Sequence, residues 1–178
     1  WRGISDNVTN VQNEFLFVGA IYKDPDLFVE HGQYVRSKYD FYDDATRFFY
    51  EMAEVIYQKR SQKFTETVVN LFVTEDQERL KSYKQYGGWK TIVTWMDMAL
   101  AEDFKNYYDV LKKYSLLREY QRNGYDVDKI LSHKKFELFS PEDIYRMIRG
   151  KVDRIQTVIL TSSEGEILNS RIQETINK

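Results

Sequence analysis

The chain has no cysteine. That excludes a disulfide framework and every cysteine-ligated zinc site, and it permits an intracellular setting without requiring one. Only two prolines and eight glycines punctuate its 178 residues, so regular structure meets few forced breaks. The two histidines, His31 and His133, sit in unrelated contexts, and each reads as a surface or boundary residue. No apolar run approaches the roughly 18 residues that span a bilayer. The opening stretch WRGISDNVTN lacks the basic-then-apolar pattern of a signal peptide. Without an initiator Met, it reads as the start of a fragment or a trimmed chain. Neither sign of charge dominates, since 26 basic and 28 acidic residues leave a formal net charge of -2. That balance argues against a protein that coats nucleic acid with its whole surface, and it leaves room for a local basic face.

Hydrophobic residues make up 42% and charged residues 30% of the chain. This is a globular composition, long enough for one cored domain or a domain with an appendage. Helical periodicity dominates and strand-like alternation is scarce. Val11, Phe15, Val18 and Tyr22 share one face and predict a helix over about 11–22, capped by Thr9 or Asn10. KDPDLF restarts the chain, with Asp24 as N-cap and Pro25 as first helical residue. Phe48, Met52, Val55 and Ile56 predict a helix over 44–58. TVVNLFV at 67–73 is the best strand candidate, and its Thr65–Glu66 start fits a short helix equally well. The paired glycines of YGGWK at 86–90 break the chain. Trp89, Ile92, Val93, Met96 and Leu100 then mark another amphipathic helix.

NYYDVLKKYSLLREY at 106–120 carries a stripe of Tyr107, Leu111, Tyr114 and Leu117. It predicts a helix from about Asp103 to near Ser132, with Gly124 as the place for a kink or an early end. SPED then gives the clearest helix start, with Ser140 as N-cap, Pro141 first and Asp143 third. Ile144, Ile148, Val152, Ile155 and Ile159 form its stripe. Joined by HKKFELF, these two helices are expected to form an antiparallel hairpin. Tyr107, Tyr108, Tyr114, Tyr120, Tyr125 and Tyr145 cannot all face its seam, so some apolar surface is left for another chain. The tail resembles a linker and a short helix, with a Ser163/Glu166 capping box and a narrow stripe of Leu168, Ile172 and Ile176.

No catalytic constellation stands out. Acidic residues at helix starts read as caps before they read as catalysts. Gly150-Lys151 is not a P-loop, because Tyr145 and Val152 stand where a glycine and a Ser or Thr are required. Lys112, Lys113, Arg118 and Arg122, then Lys134, Lys135, Arg146, Arg149, Lys151 and Arg154, form mild basic clusters. They fit a solvated helix face or a weak DNA- or partner-facing surface.

Several segments, in order, resemble the N-terminal domain of DnaB-type replicative DNA helicases. NEFLFVGAIYKDPDLF (13–28) is similar to that family's opening helix, with Val18-Gly19-Ala20-Ile21 in place of its Leu-Gly-Ala-Ile core. YDFYDDATRFFYEMAEVIYQK (39–59) resembles its Asp-Phe-Tyr helix start, with Thr46 where the family usually has a histidine. YGGWKTIVTW (86–95) resembles its Gly-Gly turn. Tyr107, Tyr108, Lys113, Ser115, Leu116, Leu117 and Arg118 match the signature of its hairpin. The likeness covers about 13–120, and 121–160 agrees in pattern only.

The resemblance implies an all-α fold: a helical head (1–102), a long antiparallel helical hairpin (103–160) and a linker with a short docking helix (161–178). It also implies a cytoplasmic collar domain that assembles as dimers, a trimer of dimers or a hexamer. Its partners would be the primase C-terminal domain and a helicase loader. The chain itself would be non-catalytic and bind no cofactor, while ATP, magnesium and most DNA contacts would belong to an absent motor domain. Tyr108, Leu117, Arg118, Tyr120 and Arg122 are the candidates for the oligomer or primase interface. A charge at Leu117 is expected to weaken self-association. Leu168, Ile172 and Ile176 are the candidates for docking the linker helix on a neighbouring motor. Two other readings remain: a stand-alone helical adaptor of phage or plasmid replication that binds helicase or primase, and an unrelated all-helical enzyme with a dispersed carboxylate site.

Overall fold

The first helix organises the rest. In the computed structural model, which describes residues 8–59, 63–161 and 176, α1 (Val11–Lys23) packs against α4 (Asp44–Lys59), α7 (Gly88–Met98) and α8 (Phe104–Arg122). Asn10 caps it by accepting the Asn13 N–H at 3.0 Å. Phe17, Val18, Ala20, Ile21 and Tyr22 are all buried, so this helix is apolar on most of its circumference, as befits a central element. Phe17 stacks on Phe104 at 5.0 Å, and the Tyr22 hydroxyl donates to the Phe49 carbonyl at 2.8 Å. Gly19 lets α1 and α7 touch: a Cβ there would lie 2.2 Å from the Trp95 carbonyl oxygen.

The short α2 (Leu27–His31), then α5 (Glu66–Thr74) and α6 (Gln77–Gln85), complete this first core, and α3 (Ser37–Asp40) lies against α4 and α8. Asp24 closes α1 instead of capping α2. Its N–H bonds to the Ala20 carbonyl, its side chain accepts from Asp26 N at 3.2 Å, and α2 begins at Leu27. The strand candidate at 67–73 is helical. Val69, Phe72 and Val73 are buried at helical spacing, and Thr65 caps Val68 N at 3.2 Å. Gly87 and Gly88, at φ +95° and +62°, occupy the left-handed region that makes the break between α6 and α7.

The expected antiparallel hairpin of two long helices does not form. α8 stops at Arg122 because Gly124, at φ +88°, reverses the chain. Gly124 N–H bonds to Gln121 O and Tyr125 N–H to Tyr120 O, both at 3.0 Å, the paired closure of a glycine-terminated helix. The chain then runs back along α8 through α9 (Asp128–Leu131) and a single 3-10 turn at Phe136–Leu138. Lys113 Nζ donates to the Phe136 carbonyl at 2.8 Å on the way. α10 (Pro141–Thr161) therefore starts beside the middle of α8, where Pro141 and Glu142 line a groove with Lys112 and Leu116. Ten residues later, Lys151 Nζ reaches the Asp126 carbonyl, past the end of α8, at 3.3 Å. The two long helices thus run in the same sense, and the segment between them supplies the antiparallel leg.

Val8, Leu117, Val127, Ile130, Phe136, Ile144 and Ile148 form a second core under this arrangement. The expected boundary near residue 103 does not separate the cores, because α8 gives Phe104, Tyr107 and Leu111 to the first and Leu117 to the second. The protein is all-α, with ten α-helices and no strand among the described residues. No helix among them is long and apolar enough to cross a membrane.

Candidate assembly surface

α10 begins as the sequence predicts. Ser140 Oγ accepts the Asp143 N–H at 3.1 Å, and the Asp143 carboxylate accepts the Ser140 N–H at 2.9 Å. The cap draws the Asp143 pKa below the usual carboxylate range, first through the Ser140 backbone N–H. Ile144 and Ile148 are buried in the second core. Beyond Lys151 the helix leaves that core, and every side chain from Val152 to Leu160 is exposed. By helix rise this projecting part is about 15 Å long.

The projecting part is not polar. Val152 is 39% exposed, Ile155 66% and Ile159 61%. With Tyr145 and Ile148 these residues step by three, four, three and four. That is the spacing of a coiled-coil seam, with β-branched residues at the positions that would insert into a facing helix. The stripe foreseen from the sequence is therefore divided. Its first two members are intramolecular core, and its last three are surface. Arg149, Lys151 and Arg154 flank the seam, with Asp153 within 3.8 Å of Arg149.

The residues singled out on α8 divide in the same way. Leu117 is fully buried in the second core and Arg118 is 1% exposed, so neither lies on the outer face expected of an interface residue. Leu117 packs in one cluster with Val127, Ile130 and Phe136 of the return segment, whereas Arg118 faces Val8 and the Tyr39–Asp40 end of α3. Arg118 is instead an internal tie: Nη1 donates to Val8 O at 3.2 Å, and Nη2 donates to Tyr39 O and Asp40 O at 3.1 Å each. Lys112 pairs with buried Asp40 at 2.6 Å and also donates to the Tyr34 carbonyl. Lys113 lies 4.1 Å from the centre of the Phe136 ring. Ser115 donates to Tyr39 O at 3.2 Å. The Lys-x-Ser-Leu-Leu-Arg stretch, read as a signature of an arm, thus fastens α8 to its surroundings through backbone carbonyls.

Tyr108 stacks on His31 at 4.5 Å and borders a groove of about 380 Å³ with Leu116 and Pro141. Tyr120 is half-buried against the second core and meets Tyr125 edge-on at 5.6 Å. Arg122 is exposed and bonded to Glu119 at 3.0 Å. Tyr108 and Arg122 are about 20 Å apart along α8, so the five candidates do not form one patch. Leu168 and Ile172 lie outside the described residues, and Ile176 is 76% exposed. A cleft of about 530 Å³ lies between α2–α3 and α4 over Phe28 and Val35, with Arg36 and Glu54 on its walls. Among the described residues no cluster of His, Cys, Asp or Glu is arranged to hold a metal.

No protein-family model matches the chain, and no solved structure does. Among curated proteins it is similar to the SPbeta prophage-derived uncharacterized protein YorI of Bacillus subtilis (strain 168), at 26% identity over 156 residues. The match covers 85% of this chain and 30% of the relative, so the chain spans less than a third of that protein's length.

Proposed function

We propose that this chain is the non-catalytic collar module of a hexameric replicative DNA helicase, assembling with copies of itself and receiving primase or a loader. The observation that carries the proposal is the exposed seam of α10, whose Val152 and Ile155 project past the core that their own chain provides. Exposed apolar rows on a projecting helix favour pairing with another helix. The ordered likeness of segments 13–28, 39–59, 86–95 and 106–120 to helicase N-terminal domains supports the same reading. A prophage-derived relative that extends well beyond the matched region has length for further domains.

In the proposed parent protein, a separate motor domain binds ATP and magnesium, contacts DNA and unwinds it in the cytoplasm. The pairing element is the exposed Val152 and Ile155 face of α10, in place of an antiparallel hairpin. Titration calorimetry with the helicase-binding domain of the cognate primase tests the partner half of the proposal. Saturable heat supports it. Absence of heat, together with no change in mass on mixing, contradicts it.

A further inference from the structure

Glu14 sits in the first turn of α1 and is 2% exposed. Its Oε1 accepts three hydrogen bonds, from Tyr42 N at 2.9 Å, Asp43 N at 3.2 Å and Thr46 Oγ1 at 2.9 Å. Its Oε2 accepts none among the described residues. Both Glu14 and Arg118 border one narrow internal gap with no room for a water molecule. An ionised carboxylate with one bare oxygen in such a place is costly, and the neutral acid is less so. Burial pushes the Glu14 carboxyl up to about 7, against the opposing pull of Thr46, the Asp43 N–H and Arg118. The other charged or titratable groups facing it are Asp43 at the start of α4, Asp40 of α3, which Lys112 neutralises, and Tyr114 of α8. Arg47 of α4 adds a second positive charge near Arg118.

We propose that Glu14 is a proton-operated latch where α1, α4 and α8 meet. Neutral, it holds the start of α4 through Oε1 and leaves Arg118 on the carbonyls of Val8, Tyr39 and Asp40. Ionised, it draws the guanidinium toward Oε2 and loosens those three ties. Val8 belongs to the second core, so its release reaches the hydrophobic layer beneath α10. The latch does not depend on the assembly proposed for α10.

Nuclear magnetic resonance of the whole 178-residue chain, titrated from about pH 4.5 to about pH 8.5, follows the Glu14 Cδ and Arg118 Nε–Hε signals together. The latch requires one shared midpoint near pH 7. It also requires amide protection over residues 8–13, corrected for intrinsic exchange, to fall as Glu14 ionises. A raised folded pKa makes stability greatest below the ordinary carboxylate range, so the urea midpoint falls as pH rises toward 7 and levels off above it. Glu14→Gln removes that fall, and if this variant does not fold, the wild-type resonances decide alone. A Glu14 midpoint below pH 5, or an Arg118 signal that ignores the Glu14 titration, overturns the latch.

Discussion

Gly19 of α1 lies so close to Trp95 of α7 that a Cβ on it would stand 2.2 Å from the Trp95 carbonyl oxygen. The obstacle is backbone, which cannot rotate aside. This contact explains why a glycine interrupts the apolar run Phe15 to Ile21 in the hub helix. Gly19→Ala is expected to lower stability by at least about 2 kcal/mol, despite the better helix propensity of alanine. Urea denaturation checks this, and a neutral or stabilised variant would show that α1 and α7 are farther apart.

Leu117 and Arg118 are both internal, so their substitution should damage the fold and not merely an interface. Leu117→Asp places an unpaired charge in the second core and should cost about 4 kcal/mol or more. Loss of helical circular dichroism at a lower temperature than in wild type is the expected result. A folded Leu117→Asp chain of reduced mass would return Leu117 to the interface.

Arg118→Met keeps the length of the side chain and strands the carbonyls it serves. The expected loss is about 2–4 kcal/mol. Arg118→Lys should recover only part of it, because one ammonium lacks the planar fork that bonds Val8 on one side and Tyr39 and Asp40 on the other. Equal stability of the three proteins would rule out this role.

The cap of α10 gives a prediction with a defined pH sign. Ser140→Ala should cost about 1 kcal/mol. The folded-state pKa of Asp143 is lowered, so its contribution is present above the ordinary carboxylate range and lost as pH falls through its folded value. Asp143→Asn should remove that acid-side dependence. Denaturant midpoints below about pH 4, compared between wild type and variant, test it.

The elements were largely legible in the sequence, and their arrangement was only partly so. Ser140 and Asp143 wrote the start of α10 in adjacent residues, and Gly87-Gly88 wrote the turn before α7, because both depend on local backbone chemistry. Gly124 marked a break, but its positive φ and the chain reversal after it were not determined by the periodicity of the flanking residues. Both senses of α8 and α10 bury Ile144 and Ile148, so a stripe alone could not distinguish them. The outer residues Val152, Ile155 and Ile159 continue the same stripe. Only the end of the second core at Lys151 separates them from Ile148. Arg118 looked like a surface residue because arginine usually is one. Its carbonyl acceptors among the described residues come from segments 78 to 110 residues away in sequence. Glu14, an acid at the head of an apolar run, was the available sign of an internal polar junction.

Light scattering over a wide concentration range tests the central claim most directly, with wild type set beside Val152→Asp and Ile155→Asp. Both side chains are outside the cores, so circular dichroism should be unchanged. The account predicts that wild-type mass rises with concentration to a dimer or a higher assembly, and that both variants remain monomeric. A strictly monomeric wild type, or an Ile155→Asp chain that assembles as wild type does, would contradict it.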